Sequence, residues 1–128
     1  MSWGHFDKIC KENEMRIAVV GGREFKRLDI VETTLLFEFI HPHSTLITGG
    51  AKGVDSQAET FARQNNIAFE IIRPIDPKNK LDYLFRNVEI LTKADKIIAF
   101  WDGKSTGTKF VIDYAKARKK SIKVIEAP

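Results

Sequence analysis

The chain has 128 residues, 43% of them hydrophobic and 30% charged, with a formal net charge of +4. That length suits one domain around one core, and no apolar stretch approaches the roughly 20 residues of a membrane-spanning helix. The single cysteine, Cys10, excludes an internal disulfide and fits a reduced, cytoplasmic setting, while the positive balance favours anionic partners without choosing among them.

Residues 1–14, "MSWGHFDKICKENE", read as an extension ahead of a single domain over 15–128. They contain no continuous apolar signal region, so export is not expected. Trp3, Phe6 and Cys10 stand at helical spacing, which favours packing on the domain or on a partner chain over a loose extension ahead of an alternative start at Met15. Cys10 has no neighbouring base and reads as a packed apolar residue; His5 has no companion.

"RIAVVG" (16–21) is a β-branched run closed by glycine and predicts a buried strand. Leu28, Val31, Leu35, Leu36 and Phe39 recur at helical spacing, in a helix that should stop before Pro42. His41 and His43 flank that proline and read as turn residues, since a metal site would need a third ligand at recognisable spacing. "STLITGG" (44–50) predicts a second strand running into glycines. Val54, Ala58, Phe61 and Ala62 mark the next helix face. "IAFEII" (67–72) predicts a third strand, and Leu81, Leu84, Phe85, Val88 and Leu91 a third helix. "KIIAFW" (96–101) predicts a fourth strand, followed by a helix from about Gly107 to Lys119. "SIKVIE" (121–126) supplies a fifth strand.

Strand and helix alternate without a composition break, repeat or linker. The fold class is therefore α/β: a Rossmann-like, parallel five-stranded sheet with helices on both faces.

The segment "WDGKSTGT" (101–108) contains "GKST", the ending of a P-loop. A P-loop needs another glycine five residues before Gly103, and that position is Ile98, inside a strand. The dinucleotide fingerprint fails as well, because "GGREF" (21–25) has no third glycine at the right offset. A different pattern remains. Three strands each run into a polar, glycine-bearing loop: "GGREF", "TGGAKGVD" (48–55) and "WDGKSTGT". Parallel topology places all three loops at one sheet edge, where open α/β sheets bind ligands. Helix N-termini there offer unpaired amides and partial positive charge to a phosphate.

The expected ligand contacts are Gly21, Gly22 and Arg23 on the first loop and Gly49, Gly50, Lys52 and Gly53 on the second. The third contributes Asp102, Gly103, Ser105, Thr106, Gly107 and Thr108. Arg23 either pairs with a phosphate through its planar fork or forms a surface salt bridge, and its position favours the ligand. Lys52 reads equally as a phosphate contact or a surface charge. Asp55, at a helix start, reads first as a partner of the helix dipole. Asp102 either holds a ribose hydroxyl or caps its loop. Periodicity puts Arg86 at the border of an apolar helix face, in solvent. The basic run "AKARKK" (115–120) complements a helix C-terminus and reads as solvated.

Taken in order and spacing, "VVGGREF", "LITGGAKGVDSQAETFA", "RNVEIL" and "ADKIIAFWDGKSTGTKFVIDYAK" resemble the SLOG superfamily, in its YspA/cpYpsA-related branch. The resemblance covers about Arg16 to Ile125. It implies a Rossmann-like sheet that binds nucleotides or nucleotide-derived molecules. Relatives include the LOG phosphoribohydrolases, which release a base from a nucleoside monophosphate, and DprA, which binds single-stranded DNA. LOG enzymes carry R-K-x-x-M, then a strand, then P-G-G-x-G-T-x-x-E. Arg86 and Asn87 match the start of the first motif, with Ile90 in place of methionine, and the resemblance promotes both to ligand contacts. Gly107 and Thr108 match the second. Asp102 and Gly103 replace its proline–glycine start, and the segment from Gly103 to Gly107 is one residue longer.

The LOG catalytic glutamate falls on Val111, which can neither stabilise a cationic ribose nor activate water. Asp113 lies about 200° around the helix from it. Glu24, Asp55 and Arg86 are the remaining catalytic candidates. The expected function is that of a small cytoplasmic sensor or carrier of a nucleotide or nucleotide-derived ligand, with no metal and no firmly implied cofactor. The alternatives are a LOG-like N-glycosidase and DprA-like single-stranded nucleic-acid binding, the latter disfavoured because no aromatics alternate with basic residues. Family members often dimerise, so the resemblance also implies self-association.

Overall fold

A computed structural model describes residues 15–40 and 43–127; the expectations for Trp3, His5, Phe6, Cys10, His41 and Pro42 lie outside them. Five parallel strands run β1 (Met15–Gly21), β2 (Ser44–Thr48), β3 (Ala68–Ile71), β4 (Lys96–Trp101) and β5 (Ser121–Glu126). Four helices alternate with them: α1 (Leu28–Glu38), α2 (Val54–Gln64), α3 (Lys80–Lys93) and α4 (Thr106–Ala117). The spatial order is β3-β2-β1-β4-β5.

The chain steps outward from β1 to β3, crosses back through α3 to the other side of β1, and steps outward again. The order therefore reverses between β1 and β4, which pair in register, Val19 opposite Ile98. β1 and β4 are buried along most of their length, as strands covered on both faces must be.

Each face of the sheet carries its own core. On one side Val31 and Leu35 of α1, Phe39 just past its end, and Val54, Ala58 and Phe61 of α2 pack on Ile17, Val19, Ile98 and Phe100. On the other, Ile90 and Leu91 of α3 and Val111, Ile112 and Ala115 of α4 pack on Ala18, Val20, Ile97 and Ala99.

Two expected apolar faces are partly displaced. On α1, Leu28 and Leu36 are exposed while Val31, Leu35 and Phe39 fill the core. On α3, Leu81, Leu84 and Phe85 are exposed, Phe85 by 66%, and the buried residues are Arg86, Ile90 and Leu91. An amphipathic stripe is wider than the ridge one sheet can cover, so its flanks stay in water. α3 begins at Asn79, whose side chain accepts from the Leu81 and Asp82 amides at 2.9 and 3.4 Å.

Charged side chains tie the edge where strands begin. Glu38, at the end of α1, accepts from Lys96 at 2.7 Å and from Lys123 at 3.2 Å. The Arg16 amide donates to Asp95 at 2.8 Å. Lys120, expected in solvent with the rest of its basic run, donates to the Ala94 carbonyl at 2.8 Å and so satisfies the C-terminal end of α3.

Candidate functional site

At the opposite edge, β1 and β4 deliver their loops to either side of the reversal in strand order. Between them opens a cleft of about 850 Å³. Its walls are the 20–24 segment, the 104–108 segment with Asp102, Ala51, Asp55, Tyr83 and Arg86 from the β2 and α3 sides, and Val111 of α4. Open α/β sheets place their ligands at such a switch point.

The first loop is a tight turn. The Phe25 amide donates to the Gly22 carbonyl at 3.2 Å, and Phe25 is driven into the core beside Phe100, ring centroids 5.5 Å apart. This leaves Arg23 and Glu24 exposed at the turn's tip. The Arg23 guanidinium pairs with no acid among the described residues, so the salt bridge weighed against a ligand role does not form. Glu24 lies 3.6 Å from Lys26. Gly21 is required for close approach, since a Cβ there would collide with Val54 at 2.7 Å.

The third loop is built around one carboxylate. Asp102 Oδ1 accepts from the Lys104 and Ser105 amides at 2.9 and 2.8 Å. These two amides, Ser105's first, hold the Asp102 carboxyl below the usual carboxylate range. Asp102 thus caps its loop through Oδ1, one of the two roles expected of it. Ser105 in turn is the N-cap of α4, its hydroxyl facing the Thr108 amide, and the Trp101 indole donates to the Ser105 carbonyl at 3.0 Å. The Thr106 and Gly107 amides, next in the helix, have no acceptor among the described residues. They are the orphan donors of a helix N-terminus, and both residues line the cleft.

The far wall is charged and buried. Asp55, 5% exposed, sits in the first turn of α2, and its Oδ2 accepts from the Ala51 amide at 3.2 Å. Oδ1 is buried with no hydrogen-bond partner among the described residues; the nearby Thr48 hydroxyl is committed to the Val19 carbonyl at 3.0 Å. Burial pushes the Asp55 carboxyl up to about 6, against the opposing pull of the Ala51 amide and the Arg86 charge. Arg86, 9% exposed, donates through Nη1 to the Gly49 carbonyl and through Nε to Asn87 Oδ1. Its guanidinium stands 5.2 Å from the Tyr83 ring centroid. Burial draws the Arg86 pKa down and Asp55 opposes it; a guanidinium keeps its charge regardless. Gly49 separates the two charges: a Cβ there would run into Arg86 Nη1 and meet Asp55 Oδ2 at 3.0 Å.

Residues 15–75 match the model of the family described as YspA, cpYpsA-related SLOG. Over this stretch the chain is similar to that family. The chain also superposes on DNA processing protein A from Streptococcus pneumoniae, with a TM-score of 0.77 and 18% identity over 94% of this chain. It spans about half, 53%, of that longer protein. DNA processing protein A from Helicobacter pylori, whose structure is described for its single-stranded DNA binding mode, gives 0.71 and 19% over 95% of this chain and 70% of that one. The protein TM1055 gives 0.64 and 23% over 84% and 72%. At these identities the likeness establishes the fold. No curated protein matches the chain.

The fold brings together Gly21, Gly22, Arg23, Arg86, Asn87, Asp102, Ser105, Thr106, Gly107 and Thr108, with the catalytic candidates Glu24 and Asp55 beside them. Gly49 and Gly50 wall an adjoining hollow instead. Lys52, Gly53 and Gly103 line neither space. Gly53 and Gly103 shape their turns, at φ of 85° and 82°, and Lys52 projects into solvent. Arg86 corrects the border position that periodicity gave it: it is a buried, anchored side chain. Val111, where LOG enzymes carry their glutamate, is buried on the cleft wall, and Asp113 faces away, paired with Lys109 at 2.9 Å. Tyr83 was missed; standing three residues before Arg86 on one helix face, it had a signal in spacing alone. Among the described residues, no helix is long and apolar enough to cross a membrane.

Proposed function

We propose that this domain binds a nucleotide or nucleotide-derived molecule, with the phosphate on the N-terminus of α4 and the remainder reaching across the cleft toward Asp55 and Arg86. The unpaired Thr106 and Gly107 amides at the switch point carry this reading. Arg23, without an acidic partner at the rim, supplies charge to the phosphate, and the Thr108 hydroxyl stands by in the first helical turn. Such a domain senses or carries its ligand in the cytoplasm.

A catalytic reading draws on Asp55, the buried carboxylate on the cleft wall, in place of the side chain missing at Val111. A nucleic-acid reading draws on the fold shared with the two DNA processing proteins.

Calorimetric titration with AMP, cyclic nucleotides, NAD and ADP-ribose separates these. Micromolar binding that changes little with salt supports the proposal. Affinity only for single-stranded DNA, falling steeply with salt in proportion to the phosphates contacted, supports the nucleic-acid reading instead. Release of free base from a bound nucleoside monophosphate would make the domain an enzyme. Absence of heat with every nucleotide would overturn the proposal.

A further inference from the structure

A second hollow of about 320 Å³ adjoins the cleft. Its walls are the 49–51 turn, Arg73, Pro74 and Pro77 from the β3–α3 connection, and Tyr83 and Arg86 of α3. Ala51, Tyr83 and Arg86 belong to both spaces, so the two compartments meet along these residues.

The compartments differ in chemistry. The cleft ends at a helix N-terminus and suits an anion. The hollow offers an aromatic ring, two prolines and a guanidinium: flat apolar surface with hydrogen-bond donors at one side. Arg73 is held there deliberately. Its Nη1 donates to the Gly50 carbonyl at 3.3 Å, and its other N–H groups meet no acceptor among the described residues. Gly50 has a φ of +73°, and a Cβ on it would come within 2.6 Å of Arg73 Nη1. Only glycine permits both the turn and the arginine lying against it. Tyr83 is fixed from the other side by the anchored Arg86 guanidinium.

We infer that this hollow is the nucleobase subsite: the base lies against Tyr83 and the prolines, and Arg73 donates to acceptors on the base edge. The inference rests on the nucleotide reading above and adds the direction in which the ligand lies. Bases stack on aromatic rings whatever their sequence identity, and guanidinium donors suit the ring nitrogens and carbonyls of a base edge.

The test is titration of the full chain with ribose 5-phosphate, AMP and GMP, using wild type, Tyr83→Ala, Tyr83→Phe and Arg73→Met. At least one mononucleotide should bind about tenfold or more tightly than ribose 5-phosphate. Tyr83→Ala should erase that advantage, and Tyr83→Phe, which keeps the ring, should restore it. Arg73→Met, a change at an exposed side chain, should reduce nucleotide affinity severalfold and serves if Tyr83→Ala does not fold. A nucleotide advantage that survives both Tyr83→Ala and Arg73→Met overturns the base subsite and leaves the nucleotide reading standing. Absence of binding by every nucleotide overturns both.

Discussion

Asp55 is the residue on which structure and chemistry pull hardest in opposite directions. Its carboxyl is buried with one oxygen unpaired, and its pKa rises from 3.8 to about 6. A folded-state pKa above the unfolded one means that the folded chain holds the proton more tightly. The associated stability is complete below about pH 3.8 and is lost as pH rises through about 6. At pH 8 the ionised carboxylate thus destabilises the fold by up to about 3 kcal/mol. Asp55→Asn should raise the melting temperature at pH 8, and thermal melts should show the gain shrinking between pH 6 and 4. An equal gain at every pH would mean that ionisation is not the cause. A sequence reading saw Asp55 first as a helix-dipole partner and then as a catalytic candidate, but not as a buried residue, because nothing in "GVDS" announces burial. Arg86 was hidden for a similar reason: apolar neighbours Leu84, Phe85 and Val88 made the border its natural place, and only the fold rotates Arg86 and Ile90 inward.

At the scale of elements, the start of α4 shows how a loop is kept rigid while its donors stay free. Asp102 and Trp101 hold the 103–105 segment by the Lys104 and Ser105 amides and the Ser105 carbonyl. Gly107 then follows inside the helix, where glycine is unfavourable, yet a Cβ there would meet no protein atom within 4 Å. The protein does not need that glycine for its own packing. Gly107→Ala should therefore stabilise the domain by about 0.5–1 kcal/mol, measured by urea denaturation, and weaken nucleotide binding in titration. Loss of stability would show that the glycine serves the fold. Helix and strand positions in this chain were legible because β-branched runs and helical spacing alternate so regularly. The exposed sides of α1 and α3 were not, since periodicity marks an apolar face without saying how much of it a sheet covers.

For the molecule as a whole, alternation in the sequence is enough to demand a parallel sheet with its loops at one edge. It does not state the strand order, and the order decides which loops share a ligand. With β1 beside β4, the first and third loops form the cleft together, while Lys52 and Gly53 of the second turn away from it. A ligand that bridges both halves of the sheet should stabilise the entire domain by mass action. At a hundredfold excess over its Kd, a bound nucleotide should add about 2.7 kcal/mol, read as a rise in melting temperature. Unchanged melting at that excess would show that no nucleotide is held by the folded state.

The two rims of the sheet are finished differently. Where the strands begin, Glu38 clasps Lys96 and Lys123, Asp95 holds Arg16, and Lys120 closes the end of α3. Where they end, backbone donors are left waiting. The architecture is that of a book bound along its spine: the free margin receives a guest while the pages stay in order. A ligand then meets donors already in place, and the ties that keep the strands together lie at the far rim, out of its reach.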